Sequence, residues 1–226
     1  MYLIVLPILL VIAYYLWGFF QAKGRESYIQ TFDLPQGLHR RLTKHHPNLT
    51  VNEFQLVSDS LRQFFLIHLR SGRNLIAMPS QVTDDLWHEF ILYTQAYQTF
   101  CKKGFGKFFH HTPAAAMSPK QQKSNAGIKR TWFHACQIEN INPRSPTHLP
   151  LIFAIDARLN IANGFHYVTD CKRAGLVVAN GATAIYCGGD FSSSSCDGGS
   201  SNCAGDGVGD SCSGSSCSGG CGGGGD

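Results

Sequence analysis

The segment that most constrains the fold is residues 78–113, with the sequence MPSQVTDDLWHEFILYTQAYQTFCKKGFGKFFHHTP. Apolar residues recur through it at helical spacing, and acids, a Trp-His pair, a Cys and a His-His pair lie among them. Ionisable groups are costly to bury unless they are paired or ligated. We therefore expect one central helix from Ser80 or Thr83 to about Lys103, and we expect any functional groups to lie on it or in the turn after it.

Start signals predict further helices on both sides of this segment. Thr50 and Glu53 form a capping-box pattern, and the apolar periodicity that follows ends at Gly72. Ser118 followed by Pro119 predicts the start of another helix, because Pro is favoured at the first helical position. The inward residues of that helix are predicted to be Ile128, Trp132, Ala135 and Cys136.

The remaining body of the chain carries weaker signals. Pro150 could open a short apolar helix, and the Asn180-Gly181 pair favours a hairpin or strand pair within residues 176–186. The predicted fold class is mainly α, with a single helical domain over residues 21–186. That domain is expected to lie between a transmembrane helix and a disordered tail rich in Gly, Ser and Cys.

The transmembrane prediction rests on residues 1–20, which hold no charged side chain. About 20 apolar residues span a bilayer. A cleaved signal peptide is the alternative, but no Lys or Arg precedes the run and no small-x-small cleavage site follows it. Lys23 and Arg25 follow the run, so the positive-inside rule predicts a single-pass protein of the cell membrane with a cytoplasmic body.

Residues 187–226 form the predicted tail, which is nearly all Gly, Ser, Cys and Asp. Such a composition cannot bury enough apolar surface to offset its ordering entropy, so disorder is expected. In a cytoplasmic tail the cysteines would be free thiols that bind soft or borderline metals loosely. In an extracytoplasmic tail they could form disulfides. A flexible extension without a specific ligand is the third interpretation.

The charge distribution is asymmetric. All 19 basic residues and 10 of the 15 acids precede the tail, so the body is +9 and the tail is −5. This asymmetry favours attraction between tail and body, or a body close to anionic lipid headgroups. No nucleic-acid partner is expected, because the basic residues are scattered and no recognisable RNA- or DNA-binding module accompanies them.

The candidate functional residues lie within residues 78–113. Asp84 is four residues and Asp85 three residues before His88, so both acids share a helical face with the imidazole. A turn with two glycines could fold the His-His pair back toward this helix. Mixed N, O and S ligands favour zinc or iron. The predicted metal ligands are Asp84, His88, Cys101, His110 and His111.

A purely structural interpretation of the same residues remains open. Asp84 and Asp85 would stabilise the helix N-terminus, and His88 would be a hydrogen-bonded core histidine. The run His88-Glu89 lacks the second His of the H-E-x-x-H zinc motif, because Leu92 occupies that position. No nucleophile elbow and no phosphate-binding loop is present. Whether the protein is an enzyme is therefore undetermined from the sequence.

The same segment resembles an uncharacterised family of bacterial proteins that pair a helical domain with a Gly/Cys-rich C-terminus. The element Asp84-Asp85-Leu86-Trp87-His88 is also similar to one in the plant glycine-rich domain proteins, and the later run LPLIFAIDARLNIANGFHY belongs to the same pattern. The plant pattern often has a second His where this chain has Phe90. The resemblance implies a domain of this kind and a Gly-rich tail, without an activity.

Three hypotheses for function follow. The leading one is a membrane-anchored helical protein that acts through binding or interaction, with a metal-binding Cys-rich tail. The second is a metalloenzyme or metal sensor that uses His88 with Asp84 or Asp85 and with His110 or His111. The third is an extracytoplasmic protein with a disulfide-linked tail. The protein partner is unknown in all three.

Overall fold

Seven helices and one pair of short strands form the part of the chain that the computed structural model describes, which is residues 2–111, 126–169 and 185–187. The prediction of a mainly helical protein is confirmed. The helices are α1 Tyr2–Gln30, α2 Leu38–His45, α3 Val51–Arg70, α4 Gln81–Ile91, α5 Thr94–Phe105, α6 Ala126–Ile138 and α7 Leu151–Arg158. The strands are β1 His166–Val168 and β2 Ile185–Cys187.

Helix α3 is the central element, because it contacts α1, α4, α6 and α7. Its predicted capping box is present: the Thr50 hydroxyl accepts from the Glu53 amide, and the Thr50 amide donates to the Glu53 carboxylate at 2.8 Å. Phe64 and Phe65 on α3 are buried. The chain leaves the helix at Gly72, whose φ of 67° lies in the left-handed region.

The single helix predicted between Ser80 and Lys103 is two helices. The start at Ser80 is correct, since its hydroxyl accepts from the amide of the third helical residue, but α4 ends at Ile91. Tyr93 leaves the helical conformation (φ −82°, ψ 61°) and becomes the N-cap of α5. The break lets α5 reach α1 while α4 reaches α2 and α7, so each helix buries its own apolar face.

An aromatic cluster fills the space between α1, α3, α4 and α5. The Phe100 ring lies 4.6 Å from Phe32 and 4.8 Å from Phe65, measured between ring centroids. Helix α1 joins this cluster through Ile29, which is fully buried. It approaches α5 closely at Gly104, where an added Cβ would lie 3.2 Å from Ile29. These contacts fix the second half of α1 on the body.

The transmembrane anchor predicted at residues 1–20 is not supported. Helix α1 continues past that segment into a polar half, in which Glu26 forms an ion pair with Arg70 at 2.9 Å. Among the helices that the structure describes, none is both long enough and apolar enough to cross a membrane. The single-pass placement in the cell membrane therefore lacks structural support.

Helix α6 and strand β2 test part of what was predicted for the C-terminal half of the chain. Trp132, Ala135 and Cys136 are buried on α6 and Ile128 is half-buried, as expected. The helix start at Ser118 lies outside the described residues, as does most of the predicted hairpin. Strand β2, at the end of that hairpin segment, pairs in parallel with β1. The tail beyond Cys187 also lies outside the described residues, so its disorder and metal binding stay predictions.

Candidate metal site

The N-terminus of α4 is held by a buried carboxylate from α7. Asp156 is 1% exposed and accepts from the Gln81 amide at 2.7 Å and from the Val82 amide at 3.3 Å. The Ser80 hydroxyl donates to the same carboxylate at 2.7 Å. These groups satisfy amide donors that a helix start leaves unpaired, and a negative charge is favoured there. Asp156 therefore fixes the position of α4, whose first two turns carry two of the candidate ligands.

The loop before β1 completes this arrangement. The Phe165 amide donates to Asp156 at 2.9 Å, so the carboxylate joins three segments of the chain. The loop comes so close that a Cβ on Gly164 would lie 2.8 Å from the Cβ of Asp156. A side chain at that position would displace the carboxylate, which explains why a residue without one occupies it.

The segment after α5 is anchored to α4 by a hydrogen-bond relay. The Trp87 indole donates to the Tyr97 hydroxyl at 3.2 Å, and that hydroxyl donates to the Phe109 carbonyl. The Phe109 ring also lies 4.9 Å from Trp87. The chain turns back at Gly106, whose φ is 76°. This relay brings His111 to α4, as the two-glycine turn suggested.

Three of the five predicted ligands come together. His111 Nε2 lies 3.1 Å from Asp84 Oδ1, and His88 Nδ1 lies 3.5 Å from Asp84 Oδ2. One ligand atom from each residue lies within 4.8 Å of the others. Ligands at about 2.0–2.2 Å from a zinc ion lie roughly 3–3.5 Å from one another. The three side chains therefore have a spacing that one metal ion could accept after small rotamer changes.

Cys101 and His110 lie apart from these three residues. The Cys101 thiol is fully buried on α5, and burial raises its pKa, whereas a metal ligand must be the thiolate. His110 is exposed, lines the same cavity as Asp84 without joining the three-residue group, and its ring lies 4.7 Å from that of Phe108. The break between α4 and α5 separates Cys101 from the face that carries His88.

The other acids of α4 have partners on α2 and at its C-cap. Asp85 lies 2.7 Å from His46 Nε2 and also accepts from the Gln81 side chain. Glu89 pairs with Arg41 and, at 3.2 Å, with His45. Helix α4 thus has one acidic face that binds α2 and a different face that carries Asp84 and His88. Asp85, an alternative ligand in the sequence prediction, belongs to the first face.

A cavity of about 630 Å³ opens beside the three candidate ligands. Asp84, His88 and His111 form part of its wall. Much of the remaining wall is aromatic and comprises Phe64, Trp87, Phe108, Phe109 and Phe165. Its size falls within the roughly 300–1,000 Å³ that is typical of small-molecule sites. The candidate metal site therefore faces a space that can hold an organic ligand.

His68 is a cavity residue to which sequence reasoning gave no role. Its side chain lies on the buried face of α3 and is 5% exposed. Its Nδ1 atom is buried without a hydrogen-bond partner among the described residues. Burial, together with the charges of Lys107 and Arg73, lowers the pKa of His68 to about 4. In the sequence, the indication that His68 could have such a role is its position as a single His on an otherwise apolar helical face.

The relay through Tyr97 yields a testable prediction. Tyr97→Phe removes the hydroxyl that accepts from Trp87 and donates to Phe109, leaving two buried groups unpaired. We expect the free energy of unfolding to fall by about 1–2 kcal/mol. Urea denaturation followed by circular dichroism measures it. Tyr93→Phe, which removes a hydroxyl outside this relay, is the matched control, and an equal loss in both variants would contradict the assignment.

Comparison with known proteins identifies a family. The UCP032817-like family model matches residues 24–191. No curated protein matches the chain, and no solved structure does. The expected likeness to glycine-rich domain proteins is wrong, because the match is to this uncharacterised family and indicates no glycine-rich domain. Since the match spans most of the sequence, the chain belongs to the UCP032817-like family.

Proposed function

We propose that this protein binds a divalent transition-metal ion through Asp84, His88 and His111, at the wall of a ligand-binding cavity. The observation that supports the proposal best is the convergence of two imidazoles and a carboxylate within 4.8 Å. Zinc and iron(II) both accept this combination of N and O ligands. His88 and Asp84 come from one helical turn, and His111 comes from a separately anchored segment.

The number of ligands supports a functional rather than a structural metal. Structural zinc sites are usually closed by four protein ligands, whereas catalytic sites hold three and leave a position open. Here three side chains converge, and the cavity lies beside them. An open position there could bind water or a group of a cavity ligand. Metal-assisted chemistry on a bound ligand is therefore the second candidate function, beyond binding alone.

An ion-free alternative explains the same contacts. Asp84 could simply accept hydrogen bonds from His111 at 3.1 Å and interact with His88 at 3.5 Å. Such a network would stabilise the return of the chain after α5 without any metal. The two explanations differ in what the protein binds, so metal affinity separates them.

The test is a zinc titration of the full chain by isothermal titration calorimetry. The tail cysteines are first blocked with N-ethylmaleimide, because they could bind zinc themselves. We expect one zinc per chain, bound at least tenfold more weakly by His111→Ala and by Asp84→Asn, since losing even a supporting residue typically costs 10- to 100-fold. His110→Ala is the matched control and should bind zinc like the unaltered protein.

Two outcomes would contradict the proposal. One is the absence of zinc and iron(II) binding by the blocked protein. The other is equal affinity in the His110→Ala and His111→Ala proteins, provided that circular dichroism shows both to be folded. Repeating the titration without the maleimide measures the additional ions held by the tail, which tests the separate prediction of metal binding by its cysteines.

A further inference from the structure

We propose that the cavity beside the metal site binds a small organic carboxylate with an aromatic body, and that Arg73, Lys107 and His68 hold its carboxylate. This inference deepens the proposed function, and rests on it for the role of the adjacent metal ion. It is carried by the nature of the cavity wall, which combines an aromatic surface with two cations and a buried imidazole.

The aromatic part of the wall accounts for the body of the ligand. Trp87 lies at its centre, with its ring 5.2 Å from that of Phe64 and 4.9 Å from that of Phe109. Rings at these separations form a continuous apolar surface, against which a planar ligand would pack favourably. A volume of about 630 Å³ accommodates one or two fused rings with a short side group.

The two cations account for the charge of the ligand. Arg73 and Lys107 both line the cavity. Neither forms an ion pair with an acid in the part of the chain that the structure describes, where other arginines such as Arg41, Arg62 and Arg70 do. A guanidinium binds a carboxylate through two parallel hydrogen bonds, and an ammonium adds a point charge. A ligand carboxylate would supply the counter-charge that they lack.

His68 supports the same head group. Buried polar atoms nearly always have a hydrogen-bond partner, so the unpaired Nδ1 atom of His68 calls for one. The imidazole lines the cavity, where an N–H of its ring would be a donor for a carboxylate oxygen. Its ring is held by Phe109, which stacks on it at 3.6 Å. The imidazole ring is therefore held in place before the ligand arrives.

Asp84 is an acid on the same wall and would repel an anionic ligand. A metal ion on Asp84, His88 and His111 would neutralise that charge, so the metal and the carboxylate are compatible. A neutral apolar ligand, in contrast, would offer the two cations no counter-charge. The carboxylate is the head group that satisfies both cations and His68.

The experiment compares two probes of the same shape on the full chain, 2-naphthoate and the neutral 2-naphthylmethanol, by calorimetry. We expect 2-naphthoate to bind at least tenfold more tightly. The double variant Arg73→Asn with Lys107→Gln should lose this preference while still binding 2-naphthylmethanol. The matched control, Arg158→Asn with Lys102→Gln, removes the same charge from exposed positions outside the cavity and should keep the preference.

Three results would overturn the inference. Equal binding of the two probes by the unaltered protein would remove the evidence for an anionic head group. Retention of the preference in the double variant would exclude the two cations as its cause. Loss of the preference in zinc-free Asp84→Asn protein, which lacks the repelling charge of Asp84, would place the carboxylate on the metal instead. A failed zinc titration with an intact preference would reject the metal proposal alone.

Discussion

Replacing Asp156 by Ala should lower the free energy of unfolding by about 4 kcal/mol, near the upper end for a single substitution. The carboxylate is 1% exposed and accepts from three backbone amides and one hydroxyl. Each buried donor left unpaired costs about 1–3 kcal/mol. The Ser80 hydroxyl can turn to Thr83, but the amides of Gln81 and Val82 at the start of α4 would lose the acceptor that Asp156 provides.

Chemical denaturation of the full chain, followed by circular dichroism, measures this effect. Asp59→Ala is the matched control, because Asp59 is exposed and its ion pair with Arg62 is worth less than about 1 kcal/mol. Asp156→Asn keeps the shape and one acceptor, so it should lose roughly half as much. A loss no larger than that of the control would show that Asp156 does not hold the start of α4.

Acid should destabilise the protein through His68. The folded state lowers the pKa of this imidazole to about 4, from an ordinary value of 6.5. The unfolded chain therefore binds the proton more tightly than the folded chain does. The contribution of His68 to the free energy of unfolding is fully present above pH 6.5 and is lost as the pH falls toward 4. The loss is up to about 3 kcal/mol, since each tenfold difference in proton affinity is worth ~1.4 kcal/mol.

Other groups also titrate between these pH values, so the effect of His68 is measured as the difference between the unaltered protein and a variant without this imidazole. Unfolding free energies at pH 7.5 and pH 4.5 are compared between the unaltered protein and His68→Gln, which is uncharged at both values. We expect the variant to lose up to about 3 kcal/mol less on acidification. His110→Gln, at an exposed position, serves as the control and should behave like the unaltered protein. Parallel pH profiles for all three proteins would refute the assignment to His68.

The sequence by itself determined the local structure. The capping box at Thr50 and the cap at Ser80 depend on side chains three residues apart, so they can be identified without knowledge of the fold. The spacing of Asp84 and His88 by one helical turn has the same local origin. The apolar periodicity also gave the inward faces of α3 and α6, because each helix must bury one side.

Tertiary structure decided which residues meet. The break at Tyr93 contains neither Gly nor Pro, and it forms because α4 and α5 pack against different neighbours. That break removes Cys101 from the site, while the Tyr97 relay brings His111 into it. Asp156 reaches the start of α4 across 75 residues of chain. Such contacts arise from the packing of distant segments, whose geometry a pattern along one segment does not contain.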